Sequence, residues 1–149
     1  CLLRPKSTGE VTLNSNDAFD SPKIDPKFFS EREDMDIMIK GYRKMMQIMN
    51  SEPLRPFTRK VQDPIDINSD ADIEAAMRAR ADTVYHPVGT CKMGSDDMSV
   101  VNHELKVHAL ENVRVVDASI MPTLVGGNTN APTIMIGEKA ADMIKSSWA

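Results

Sequence analysis

The alternation of hydrophobic and polar positions predicts one short strand near the start of the chain and a helix after it. Residues 9–13 alternate as a half-buried strand does, and a polar loop rich in Asn, Asp, Ser and Pro follows from Asn14 to Pro26. The helix is predicted to begin at Ser30, which has the spacing of a capping box with Glu33. Two prolines end it, Pro53 and Pro56.

This first helix has an apolar stripe and a charged face. Its apolar positions recur at i, i+3, i+4 and i+7. They are Met35, Met38, Ile39, Tyr42, Met45, Met46 and Met49. We expect the stripe to be buried and the opposite face to be in water.

Two more helices are predicted downstream. One covers Asp70–Arg80 after a cap at Ser69 or Asp70, and the other begins near Pro132. The apolar stripe of the last helix is Ile136, Ala140, Met143 and Ile144. Residues 105–108 and 113–116 have strand character, and a loop at 85–94 is entered from a short strand at residues 83–84. Helices and strands without regular βαβ alternation predict an α+β domain.

Composition restricts the class of protein. The 149 residues are 41% hydrophobic and 27% charged, which is typical of a single globular domain. A net charge of -4 without a basic face argues against nucleic-acid binding. No apolar run approaches the roughly 20 residues that span a bilayer. The two cysteines, Cys1 and Cys91, are expected to be free thiols in the cytoplasm.

His86, in the segment YHPVGTCKMG at 85–94, is the first candidate for a catalytic residue. Pro87 disfavours helical backbone at His86, and Gly89 permits a tight turn after it. The imidazole can therefore be presented from a loop, and histidine exchanges protons near neutral pH. The plain structural alternative is a histidine bonded to a nearby carbonyl group.

A glycine-rich turn at 126–132, with the sequence GGNTNAP, is the second candidate. Two glycines let a ligand approach the backbone, and Asn128 and Asn130 can both donate and accept hydrogen bonds. The amides at the start of the following helix favour an anionic or electron-rich group. The alternative is ordinary capping of that helix by Thr129 or Asn130.

Two further arrangements of residues are weaker candidates for a site. Asp117-Ala118-Ser119 forms a turn at the end of the 113–116 strand, where backbone amides can meet a phosphate, although Asp117 is also a common turn former. A zinc site is the rival, because His86, Cys91, His103 and His108 have a loosely finger-like spacing. The absence of a cysteine pair argues against zinc.

Together these motifs resemble a known family. YHPVGTCKMG followed by LKVHALENVRVVDASIMPTLVGGNTNAPTIMIGEKAADMI is similar to the C-terminal signature of the glucose-methanol-choline (GMC) oxidoreductases. The likeness covers nearly the whole chain and is strongest to the choline and alcohol dehydrogenase branch. It implies an α+β C-terminal domain with a mixed, largely antiparallel sheet and packed helices. Residues 1–112 would belong mainly to the substrate domain, and 113–149 would return to the FAD-binding domain.

The resemblance also implies a reaction. Such enzymes use FAD to oxidise an alcohol, choline-like or another primary alcohol, to an aldehyde. His86 would be the base that takes the hydroxyl proton, and Asn128 would hold the second active-site position. Asp117 and Ala118 match the segment near the cofactor's pyrophosphate. The segment beside the flavin ring is matched by Asn128, Thr129 and Asn130, and no metal is implied.

One departure from the family pattern concerns the cofactor. The seven glycines form no GxGxxG fingerprint, so the Rossmann FAD domain is expected elsewhere in the same polypeptide. We therefore expect this chain alone neither to retain FAD nor to turn over. Apolar surface left uncovered leads us to hypothesise self-association. A hydroxynitrile-lyase-type member stays open as an alternative, as do the alcohol used and association of the full-length enzyme with a membrane.

Overall fold

The computed structural model describes residues 1–148, and the chain forms two compact units, Cys1–Val84 and Tyr85–Ala149. The first unit holds strands β1 (Glu10–Thr12) and β2 (Lys23–Asp25) and helices α1 (Arg32–Met49) and α2 (Asp70–Arg80). The second holds helix α3 (Asn130–Trp148), and 3₁₀ turns lie at Arg55–Phe57 and Ala118–Ile120. Helices with a small antiparallel sheet confirm the α+β class.

The sheet of the first unit has two strands of three residues each. β1 pairs antiparallel with β2, so that Val11 lies opposite Ile24. The predicted strand at 9–13 is confirmed, but β2 lies inside the segment predicted to be loop. Three residues are too few to show an alternation. A Cβ atom at Gly9 would lie 2.3 Å from the Asp25 carbonyl oxygen, so the close approach of the strands there requires glycine.

The start of α1 differs from its prediction. The residue that caps the helix is Glu31, with no side-chain cap bond, so the capping box of Ser30 with Glu33 is wrong. The hydrogen bond at the start of the helix comes instead from a segment that is distant in the sequence: the Glu31 amide donates to the Ser7 hydroxyl at 3.1 Å. The buried Asp34 carboxylate in turn accepts the backbone amides of Lys6 and Ser7.

Helices α1 and α2 bury one small core between them. Met35 and Ile39 of α1 pack with Ile73 of α2, and all three are buried. The predicted stripe is therefore buried in its first half, whereas Met45 and Met49 are exposed. The bounds of α2 and its Ser69 cap are as predicted, since the Ser69 side chain accepts from the Asp72 amide.

An ion pair across the same two helices joins Arg32 to Glu74. Hydrogen bonds from Arg78 and then from Arg32 hold the pKa of Glu74 below its usual value. Both arginines and the carboxylate are solvent-accessible, so this pair orients the helices more than it stabilises them.

The second unit is built around residues of α3 and of the loops before it. Its buried core is Val101, Leu105, Ile120, Met121, Ile136 and Ala140. The predicted strands at 105–108 and 113–116 do pair, but only through isolated bridges such as Lys106 with Arg114. Left-handed backbone at Leu105 and Asn112 interrupts the ladder. Residues 83–84 form no strand, so that prediction is wrong.

Two further points concern the chain as a whole. None of the helices within residues 1–148 combines the length and hydropathy that a bilayer crossing requires. The predicted division at residue 112, which concerns packing against a cofactor domain, stays a prediction.

The Asp34 contacts generate a stability prediction. Burial raises the pKa of this carboxyl, but the hydrogen bonds from Lys6 and Ser7 outweigh burial and hold its pKa below the ordinary 3.8. A depressed pKa in the folded state means that the ionised form stabilises the fold. Asp34→Asn should therefore lower the free energy of unfolding by roughly 1–3 kcal/mol at neutral pH, measured by urea denaturation.

The pH dependence and a matched control make this prediction specific. The contribution should be complete above the unfolded-state pKa near 3.8 and be lost as pH falls through the lower folded-state pKa. Asp36→Asn removes a half-exposed carboxylate two residues away, which is paired with Arg32 in the same helix, and should have a much smaller effect. Equal losses in both variants would contradict the role given to Asp34.

Candidate active site

The loop that carries His86 begins with an unusual backbone. Tyr85 has φ of 60°, in the left-handed region that bulky side chains rarely adopt. Strained backbone of this kind is concentrated at ligand sites and switches. His86 itself is half-buried, and Pro87 follows it.

Backbone hydrogen bonds then fix the rest of the loop. The amides of Cys91 and Met93 donate to the carbonyls of Ser119 and Ile120, at 3.0 and 2.8 Å. Gly89 makes the turn between His86 and these bonds, with φ of 88°. A Cβ atom at Gly89 would also come within 3.3 Å of the Met121 carbonyl oxygen. The predicted loop at 85–94 is thus confirmed, and it is held by the segment that precedes the Asn128 turn.

The second motif ends at the first turn of α3. Asn128 is exposed, whereas Thr129, the next residue, is only 9% exposed. The Thr129 carbonyl accepts the backbone amide of Thr133 at 3.0 Å and its hydroxyl at 2.7 Å. Pro132 lies in the first turn of the helix, as predicted. Thr129 is therefore fixed by both burial and hydrogen bonding.

The structure brings the two motifs together at the imidazole of His86. Nε2 lies 3.4 Å from Asn128 Nδ2, and Nδ1 lies 3.2 Å from Thr129 Oγ1. Asn128 and Thr129, which lie 42 and 43 positions after His86 in the sequence, therefore contact opposite nitrogens of its ring. The first distance is long for a hydrogen bond, so the Asn128 contact is the weaker of the two. Their catalytic roles stay predictions.

The other predicted site residues lie in two places. The Asp117 side chain accepts the Ser119 amide and so caps the 3₁₀ turn at Ala118–Ile120. This is the turn-forming role predicted as the alternative to phosphate binding. Asn130 is exposed and begins α3. By helix geometry the amides of this first turn have no partner inside the helix. Gly127 is also open, since a Cβ atom there would have nothing within 4 Å.

The residues of the rival zinc site are not gathered. His108 Nε2 lies 3.1 Å from the Gly94 carbonyl oxygen, an ordinary structural contact. Within residues 1–148 no three His, Cys, Asp or Glu side chains are close enough to share a metal ion.

An apolar pocket of about 210 Å³ lies on the same segments of the second unit. It is lined by Ile120, Met121, Pro122 and Val125 and by the start of α3, with Met93 of the histidine loop at one side. Two of its lining residues bracket the Asn128 turn, since Val125 directly precedes the sequence GGNTNAP and Pro132 ends it. Polar donors and an apolar wall therefore come from one stretch of chain.

The contact of Thr129 with His86 is the part of the site that sequence reasoning missed. Thr129 was expected beside a cofactor or as a helix cap, and nothing in its position before α3 indicates a bond to a residue 43 positions away. The available signal was a hydroxyl side chain next to Asn128, within the same turn.

The chain is similar to proteins of known family. A family model described as GMC oxidoreductase matches residues 5–137. An alcohol dehydrogenase [acceptor] from Pseudomonas putida is 50% identical over 145 residues, which are 97% of this chain and 26% of that protein. The mitochondrial choline dehydrogenase of Mus musculus is 47% identical over 146 residues, 96% of this chain and 24% of that protein.

Solved structures agree with the sequence comparison. A formate oxidase from Aspergillus oryzae, studied for modification of its FAD, superposes with a TM-score of 0.91 at 34% identity. The match covers 97% of this chain and 26% of the oxidase. The chain thus spans about a quarter of the length of the relatives it matches.

Two glycines in the second unit provide a test of the loop geometry. Gly89→Ala should lower the free energy of unfolding by about 1–2 kcal/mol, because an L side chain resists left-handed backbone. Gly137→Ala, inside α3 with open space around its Cβ position, should raise it by about 0.5–1 kcal/mol. Denaturant unfolding followed by circular dichroism measures both changes. A stabilising Gly89→Ala would contradict the described turn.

Proposed function

The chain belongs to the GMC oxidoreductase family, and we propose on that premise that it forms part of an FAD-dependent enzyme that oxidises an alcohol to an aldehyde. The observation that carries the proposal is the pairing of the His86 ring with the exposed amide of Asn128. A titratable nitrogen beside a hydrogen-bonding amide is what removal of a hydroxyl proton needs. The alcohol and choline dehydrogenases named above support the substrate class.

In this proposal the two side chains act on the alcohol hydroxyl. Nε2 of His86 accepts the hydroxyl proton, since it is the ring nitrogen on the side of Asn128. The Asn128 amide donates to the alcohol oxygen and stabilises the negative charge that develops there. A primary alcohol, choline-like or another, is the substrate class we assign, in line with the alcohol and choline dehydrogenases among the relatives.

The residues present fit a flavin at the Asn128 turn. Gly127 leaves the backbone open to a planar group, and Asn128 and Asn130 offer amide donors. The positive end of the α3 dipole would favour negative charge on a reduced ring. FAD, when bound, would take up the hydride from the alcohol carbon. Thr129 would also lie beside the flavin ring.

The pyrophosphate end is the weaker part of the fit. The Asp117 carboxylate would repel a phosphate, but it already accepts a hydrogen bond from the Ser119 amide. We assign the contact to the backbone at Asp117 and Ala118, where the 3₁₀ turn begins.

The remaining polypeptide has to supply most of the cofactor site. The chain is about a quarter of the length of its relatives, and we propose that a Rossmann domain in the rest of the protein holds FAD. Residues 113–149 would pack on that domain. Ile134, Met135 and Trp148 are exposed and would be covered there, or by self-association of this chain alone. By itself the chain would be inactive.

The proposal is tested in the full-length enzyme by anaerobic stopped-flow reduction of the flavin with an alcohol. His86→Ala should lower the rate constant about 10²- to 10⁴-fold, because the general base is lost. Asn128→Ala should lower it about 10²- to 10³-fold through loss of the donor. His103→Ala, at an exposed histidine in another loop, should leave the rate unchanged.

The same measurement excludes the alternatives. Unchanged reduction in His86→Ala would show that another group is the base. A wild-type flavin that stays oxidised with every alcohol, in a protein that cleaves a cyanohydrin, would make the chain part of a lyase instead.

A further inference from the structure

We infer that Thr129 is a positioning residue for His86: its hydroxyl accepts a hydrogen bond from Nδ1–H and thereby leaves the lone pair on Nε2. The inference rests on the proposed function, in which Nε2 takes the alcohol proton. It adds a role that the helix-capping and cofactor-binding interpretations of Thr129 do not contain.

The geometry at Thr129 is well suited to this role. Oγ1 lies 3.2 Å from Nδ1, and the residue is 9% exposed. Its carbonyl is held by both the backbone amide and the hydroxyl of Thr133, so the residue cannot shift without breaking the first turn of α3. A buried hydroxyl on a fixed backbone is a rigid hydrogen-bond partner for the ring.

Two proton arrangements satisfy the contacts of the ring. In the first, Nδ1–H donates to Thr129 Oγ1, and Nε2 accepts from the Asn128 amide. In the second, the Thr129 hydroxyl donates to Nδ1, Nε2 carries the proton, and the Asn128 amide is turned over. Only the first arrangement leaves a basic nitrogen at Nε2.

Which of the two proton arrangements suits a catalytic base depends on the ring nitrogen that an alcohol can reach. Thr129, which contacts Nδ1, is buried, whereas Asn128, which lies next to Nε2, is exposed. An alcohol can therefore reach Nε2 and cannot reach Nδ1 without displacing Thr129. The nitrogen that the substrate meets has to be the unprotonated one, so the proton of the neutral ring belongs on Nδ1.

The proton balance leaves Thr129 unchanged. The alcohol O–H bond breaks and its proton bonds to Nε2, while FAD, when bound, would accept the hydride from the alcohol carbon. The ring becomes an imidazolium with a proton on each nitrogen, and Thr129 Oγ1 goes on accepting from Nδ1–H. A hydroxyl that accepts in both states orients the ring and stabilises the charge that it gains.

The experiment uses the full-length enzyme with ¹⁵N-labelled histidine and its Thr129→Val and Thr129→Ser variants. The ring-nitrogen shifts of His86, assigned by their loss in His86→Gln, should show protonated Nδ1 and unprotonated Nε2. Thr129→Val keeps the shape without the hydroxyl, so the Nε2-protonated tautomer should gain population. The rate constant of flavin reduction should fall roughly 10- to 100-fold, by analogy with other residues that orient a functional histidine.

Two controls separate positioning from folding. Thr129→Ser should retain the wild-type tautomer and most of the rate, because it keeps the hydroxyl. Thr123→Val removes an exposed hydroxyl from the same loop and should change neither. Substrate affinity should be nearly constant through the series, so the loss appears in the rate constant.

The possible outcomes distinguish this inference from the proposed function. A protonated Nε2 in the neutral wild-type ring overturns the role of Thr129, even if Thr129→Val fails to fold. A Thr129→Val enzyme with the wild-type tautomer and rate also overturns it. If either occurs while His86→Ala still abolishes flavin reduction, the positioning role fails and the proposed base survives.

Discussion

The site depends on two backbone hydrogen bonds that hold an irregular loop against the segment before α3. Cys91 and Met93 donate to Ser119 and Ile120, and the loop has no strand or helix of its own to fix it. Ile120 is buried in the same core as residues of α3, so the acceptors cannot drift from the helix. The same segment, which carries Ser119 and Ile120, therefore positions both the imidazole and the turn at the start of α3.

A similar principle operates in the first unit, by different means. There a buried carboxylate, Asp34, accepts the amides of Lys6 and Ser7 and thereby holds the irregular segment before β1 against α1. Satisfying amides in this way lets a chain without regular structure lie on a helix at low energetic cost. In both units a few backbone donors, more than extensive apolar packing, decide where the loops run.

Local signals in the sequence predicted what local interactions decide. The bounds of α2 follow from a serine cap and an apolar stripe, and His86 and Asn128 were identified from their turn chemistry. The capping box at Ser30 did not form, and the amide of the capping residue Glu31 donates instead to Ser7, which is distant in the sequence. Strand β2 exists only by pairing with β1, and the Thr129 contact only by the folding of two distant loops. Such interactions have no periodicity that a single sequence can display.

The imidazole of His86 has two unlike sides, and this asymmetry explains how half a site can be built in one chain. Nδ1 faces a buried hydroxyl on a fixed helix turn, while Nε2 faces an exposed amide. The orientation of the ring is thus set within the second unit. The Asn128 side is open to water, and transfer of a hydride from carbon needs water to be kept out. In the proposed function that side is where the rest of the polypeptide would close the site, so orientation and exclusion of water would be divided between two parts of the polypeptide.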